Sequence, residues 1–136
     1  MRARMAFLRR VLYWEAAAWT LIGAVAVIAP KFLLVTLLEQ VPYPEYSAFR
    51  IIGIQAIGIS LVAVLIAQRI DDHWWWSWAI LFVAAASATV FALTGLLGLP
   101  EGSPTWPWWL FSVLALLTAI GLLVGLARAG AEQPIT

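Results

Sequence analysis

The sequence predicts an all-α fold: an integral membrane four-helix bundle running up and down, with a short interfacial helix between the first and second spans. Three observations carry this. Of the 136 residues, 64% are hydrophobic and only 11% are charged, where soluble domains run near 25% charged. The apolar residues fall into four long stretches, about 7–29, 46–68, 74–97 and 106–127. The segments between them hold five of the seven prolines, and only four of the fifteen charged residues, Arg9, Arg10, Glu15 and Arg50, fall inside the stretches. Each stretch covers a hydrocarbon core of ~30 Å as a helix rising ~1.5 Å per residue. Only helices and closed barrels satisfy their backbone groups in lipid, and continuous apolarity without alternation selects helices.

The first span follows a basic start that carries Arg2, Arg4, Arg9 and Arg10. This resembles a secretory signal, but the apolar run from Val11 to Ala29 exceeds the roughly 7–15 residues of a signal core. It also carries Trp14, Glu15 and Trp19 and closes on Pro30, so it reads as a retained span. Residues 31–41 mix Phe32, Leu33, Leu34 and Leu37 with Lys31, Glu39 and Gln40. The segment is too short to cross. A helix from Lys31 to Gln40 in the outer interface, stopped by Pro42 and Pro44, fits its polarity and would cap the bundle.

The second span, Tyr46–Gln68, ends in a tight inner loop, Arg69–His73, where Asp71 or Asp72 is expected to cap the next helix. The third span, Trp74–Leu97, leads to the turn-rich outer loop GLPEGSP and to the fourth, Trp106–Ala127. Residues 129–136 read as a disordered tail. Short loops favour antiparallel neighbours, and no internal repeat of the transporter kind is visible. The whole chain reads as one transmembrane domain, with no room for a separate soluble catalytic one.

Cytoplasmic flanks carry the excess of lysine and arginine. Arg2, Arg4, Arg9, Arg10, Arg69 and Arg128 fall on one side, and Lys31 and Arg50 on the other. Both termini are therefore expected in the cytoplasm, with the bacterial inner membrane as the location. Trp74, Trp75, Trp76 and Trp78 would anchor the inner interface, and Trp106, Trp108 and Trp109 the outer.

Several functions are excluded. Without cysteine there is no disulfide, thiolate metal site or cysteine nucleophile. A net charge of +1 from scattered basic residues is not the footprint of a nucleic-acid binder. No catalytic constellation is visible, since no histidine lies inside a span to activate Ser60, Ser87, Thr89 or Thr94. Those hydroxyls are expected to bond backbone or neighbouring helices.

Glu15 is the leading candidate site residue, because an ionisable group inside a span is by default a functional hypothesis. The simpler reading pairs it with Arg9, Arg10, Arg69 or Arg128 as a packing lock. Arg50 and Gln55, in RIIGIQAIG, either line a polar pocket or, for Arg50, snorkel to the outer headgroups or to Glu39 and Glu45. Glu15 and Arg50 are expected near opposite faces. His73 in DDHWWW is a poor metal ligand, since adjacent helical residues do not share a face; an axial bond to a tetrapyrrole is the remaining use. No metal and no cofactor is expected. Gly121 and Gly125 form a GxxxG ridge and Ala84 and Ala88 a second small-residue pair, both suited to close helix packing within the chain or between subunits.

Two motifs, WTLIGAVAVIAP and RIIGIQAIGISL, resemble the first helix closing in a proline and the arginine-glycine second helix of small bacterial membrane proteins of the DoxX-like and DUF4345-like kind. The resemblance covers about the first two-thirds of the chain. It implies a four-helix membrane fold and a role as accessory subunit of a membrane redox system, and it transfers no functional residue. The expected function is thus a non-catalytic multi-pass membrane protein, an accessory or structural subunit binding lipid, a hydrophobic small molecule or a partner membrane protein, itself included. The alternative is a small homo-oligomeric transporter or channel with Glu15 as a proton-coupled site.

Overall fold

A computed structural model describes residues 2–132, with side chains from 5 to 131. Its elements are α1 (Arg2–Ile28), a π-helical turn (Phe32–Leu37), α2 (Ser47–Gln68), a short α3 (Ile70–His73), a 3₁₀ turn (Trp74–Trp76), α4 (Ser77–Leu97) and α5 (Trp106–Glu132). There is no strand among the described residues. The stretches Met5–Ile28, Ser47–Gln68, Ile70–Leu97 and Trp106–Ala131 are long and apolar enough to cross a membrane by length and composition.

Local chemistry sets most of the helix ends. Pro30 disfavours helical backbone at the residue before it, and Ala29 is the one non-helical position between α1 and the turn that follows. α4 closes as the Gly98 amide donates to the Thr94 carbonyl at 3.0 Å. α5 opens with Pro107 in its first turn, where a missing N–H costs nothing. Within the helices, the hydroxyls of Thr89, Thr94 and Thr118 donate to the carbonyls of Ala85, Val90 and Leu114, four residues back. Each thus satisfies itself inside its own helix.

Four expectations are corrected. The tail expected from residue 129 is helical as far as Glu132; Ala127, Arg128 and Ala131 are strong helix formers, and Ala129 is fully buried. Residues 133–136 lie outside the described ones. The segment after Pro30 is a π-helical turn rather than an ordinary helix, with the Leu38 amide donating to Leu33 and the Gln40 amide to Leu34. It stops at Glu39, which takes a left-handed φ of 54°, before either proline is reached. Asp71 and Asp72 cap nothing, since neither α3 nor the turn after it has a side-chain capping bond. Instead Asp72 accepts from Arg69 at 3.2 Å on the surface. Trp74 is not an outward anchor; it is 6% exposed and packs beside Gly130.

Small residues bring the helices together. A Cβ placed on Gly23 would lie 2.7 Å from the Gly53 carbonyl oxygen, so α1 and α2 touch backbone to backbone there. From Gly23 to Val27 on α1, the facing positions on α2 fall back from Ile57 to Gly53. α5 meets α1 where Gly125 faces Leu8 and Gly121 faces Val11. α5 meets α4 where Ser112 Oγ donates to the Ala88 carbonyl at 2.8 Å and Gly95 packs on the Trp109 ring. α2 and α4 meet only sparsely. The helices therefore stand in the order α2, α1, α5, α4, and the gap between the two ends of that row shapes the candidate site.

Size is sorted by position. The core is rich in alanine, with Ala16, Ala63, Ala67, Ala84, Ala119 and Ala129 buried around Leu8, Leu12, Leu122 and Leu126. Large side chains such as Leu21, Ile52, Leu65, Phe82, Leu97 and Leu117 point outward.

Candidate functional site

Glu15 and Trp19 are four residues apart on α1 and so share one face of it. That face forms the floor of a cleft between α2 and α4. α2 contributes Ala56, Ile59 and Ser60 to one wall, and α4 contributes Ala84, Ser87 and Phe91 to the other. The cleft exists because α2 and α4 barely touch and because alanines and serines on both walls leave its volume, about 170 Å³, unfilled.

An aromatic cluster borders it. Trp19 stacks on Phe91, with ring centroids 6.0 Å apart and planes 9° from parallel. Phe111 joins both rings from α5, at 6.5 Å from Trp19 and 5.5 Å from Phe91. Offset stacking of this kind is the preferred geometry of aromatic pairs. The cluster links α1, α4 and α5 and holds Trp19, hence the Glu15 face of α1, in place.

Glu15 is 4% exposed, and its Oε2 has no hydrogen-bond partner. None of the arginines that could have locked it does so: among the described residues the ion pair is Arg69 with Asp72. No lysine, arginine or histidine lines the cleft. Ser60, on the α2 wall, already donates its hydroxyl proton to the Ala56 carbonyl at 2.8 Å. The site is thus a mostly apolar cleft, with Gln55, Ser60 and Ser87 as its other polar residues and one buried carboxyl whose Oε2 lacks a partner. A group placed there with a donor or a positive charge would meet an acceptor whose hydrogen-bonding capacity is unspent.

The other candidates are divided. Gln55 lines the cleft with Glu15. Arg50 does not; it is exposed in the first turn of α2. His73 lies in α3, away from the cleft, with its ring 5.8 Å from that of Trp76. No cluster of three metal-binding side chains occurs among the described residues. Gly121 and Gly125 are occupied by α1, through Val11 and Leu8. Ala84 and Ala88 are buried, Ala84 on the cleft wall and Ala88 under Ser112. Trp75, Trp76, Trp78, Trp106 and Trp109 are exposed.

Sequence reading passed over two groups that matter. Trp19 and Phe91 lie 72 positions apart in the chain and signal nothing locally, although the i, i+4 spacing of Glu15 and Trp19 could have marked one functional face. In the sequence Gln40 is only one polar residue of the interfacial segment. It is 3% exposed and ties that segment to the loop before α5: its Nε2 donates to the carbonyls of Leu38 and Pro104 at 2.9 and 3.1 Å, and its Oε1 accepts from Trp108 Nε1 at 3.2 Å. Compared with known proteins, the chain matches no family model, no curated protein and no solved structure.

Proposed function

We propose that the chain is a non-catalytic multi-pass membrane protein that holds a hydrophobic small molecule in the cleft between α2 and α4, as an accessory or structural subunit of a larger membrane assembly. In this reading the four long helices run up and down across the bilayer, with both termini in the cytoplasm of a bacterial cell. The sorting of residues by size supports insertion. Large apolar side chains face outward and alanines and glycines pack the core, as expected where lipid is the solvent and close backbone approach drives helix association. In water an outer surface of this kind would be an aggregation liability.

The observation that carries the binding role is the cleft itself, apolar on its walls and with the unpartnered Glu15 on its floor. Small-molecule sites have this composition, a mostly apolar lining with few placed polar groups. An accessory role beside a membrane redox system, which the DoxX-like pattern implies, belongs to the same proposal.

A second reading is favoured by the same placement of Glu15. A carboxyl that faces a cleft, rather than an arginine, suits a proton-coupled site in a small homo-oligomeric transporter. Native mass spectrometry of the gently extracted protein separates the two. A hetero-complex that retains a small molecule is the outcome expected of the accessory subunit. A homo-oligomer whose proton flux in vesicles disappears on Glu15→Gln would overturn it in favour of the transporter.

A further inference from the structure

We infer that the cleft between α2 and α4 takes a small lipophilic organic cation, its nitrogen on the Glu15 carboxylate and its apolar body against the α2 and α4 walls. This deepens the proposed function and rests on the cleft being a binding site. Three observations converge on a cation. Glu15 is 4% exposed yet lacks a partner on Oε2. No cationic side chain of the chain lines the cleft to supply one. The hydroxyl of the neighbouring Ser60 is committed to its own helix. The ring of Trp19, one turn from Glu15 in the same lining and stacked on Phe91, offers apolar surface to the body of the guest.

Other guests fit less well. An anion would find no cationic side chain in the lining, and a pure hydrocarbon would bury Oε2 without satisfying it. The volume limits the guest's size: about 170 Å³ compares with the ~150 Å³ cavity that admits one benzene ring. A single aromatic ring or short alkyl body bearing one ammonium group is the size that fits. Entry is sideways, through the sparse contact between α2 and α4.

The test uses the full chain in nanodiscs of zwitterionic lipid and a matched pair of probes, 2-phenylethylammonium and its neutral isostere propylbenzene, titrated by calorimetry against empty nanodiscs. The expected result is tighter binding of the cation by about tenfold or more, the scale of one hydrogen bond to a charged group. Glu15→Gln should erase that preference, and Ser87→Leu, which fills the cleft from the α4 wall, should abolish binding of both probes. Equal affinity for the two in the native chain overturns the cation and leaves the cleft as a binding site. A preference that survives Glu15→Gln overturns the role of Glu15. Binding of neither probe overturns the cleft as a site altogether. Should Glu15→Gln fail to fold, the probe pair on the native chain still decides for or against the cation.

Discussion

Gly23 and Gly53 each occupy the space where the other's side chain would stand: a Cβ on either would come within 2.7 Å of the carbonyl oxygen of its partner. The obstacle is backbone, which cannot rotate away, so α1 and α2 must part to admit even a methyl group. Gly23→Ala and Gly53→Ala should each destabilise the protein by about 1–3 kcal/mol, the usual range for overpacking. Gly58 is the control, because a Cβ there meets nothing within 4 Å. Gly58→Ala should be neutral or stabilising by up to about 1 kcal/mol, since alanine is the better helix former. Thermal unfolding in detergent measures all three. Equal behaviour of Gly53→Ala and Gly58→Ala would overturn the contact.

The GxxxG pair on α5 makes a graded version of the same argument. A Cβ on Gly125 would meet Leu8 at 3.0–3.3 Å, the backbone Cα included, whereas one on Gly121 would meet only side-chain atoms of Val11, none nearer than 3.3 Å. Gly125→Ala is therefore expected to lower the unfolding midpoint more than Gly121→Ala. Both should act on the folded monomer, leaving subunit stoichiometry unchanged in size-exclusion chromatography with light scattering. A change of stoichiometry in either variant would reassign the ridge to a contact between subunits.

What was legible in the sequence divides along physical lines. The four apolar helices could be read because each is set by its own composition, and Pro30 marks the end of α1 by local sterics alone. Glu15 was conspicuous because a carboxyl amid apolar residues needs no neighbour to look unusual. The rest depended on which helices meet. That α2 stands away from α4, leaving a cleft with Ser87 and Phe91 on its far wall, follows from tertiary packing that no single segment encodes. The early end of the turn after Pro30 was hidden for the same reason, since Gln40 is drawn inward by partners 64 and 68 residues away. Trp74 looked like its three neighbours in the tryptophan cluster, and only the approach of Gly130 from α5 sets it apart.

Gln40 should prove the principal polar tie at its end of the bundle. Its amide joins the segment after Pro30 to Pro104 and Trp108 while almost fully buried, so Gln40→Leu strands the indole N–H and the carbonyls of Leu38 and Pro104 together. A cost of about 2 kcal/mol is expected, within the range for leaving buried polar groups unsatisfied. A double-mutant cycle with Trp108→Phe isolates the shared bond and should return a coupling of about 1 kcal/mol. Additive effects of the two substitutions would show that the bond contributes nothing.

The proposed topology yields the last prediction, and the absence of native cysteine makes it easy to read. A single cysteine introduced at Ser103, in the loop between α4 and α5, should react with a membrane-impermeant thiol reagent added outside intact cells. One introduced at Asp71, between α2 and α4, should react only after the cells are opened. The asymmetry follows from charge: Arg69 and Arg128 lie at the end of the bundle that holds α3, and positive residues are retained in the cytoplasm. The reverse pattern would invert the orientation while leaving the four spans intact. Labelling of both positions from outside would overturn the passage of α4 through the bilayer, and with it the reading of the cleft as a site open to lipid.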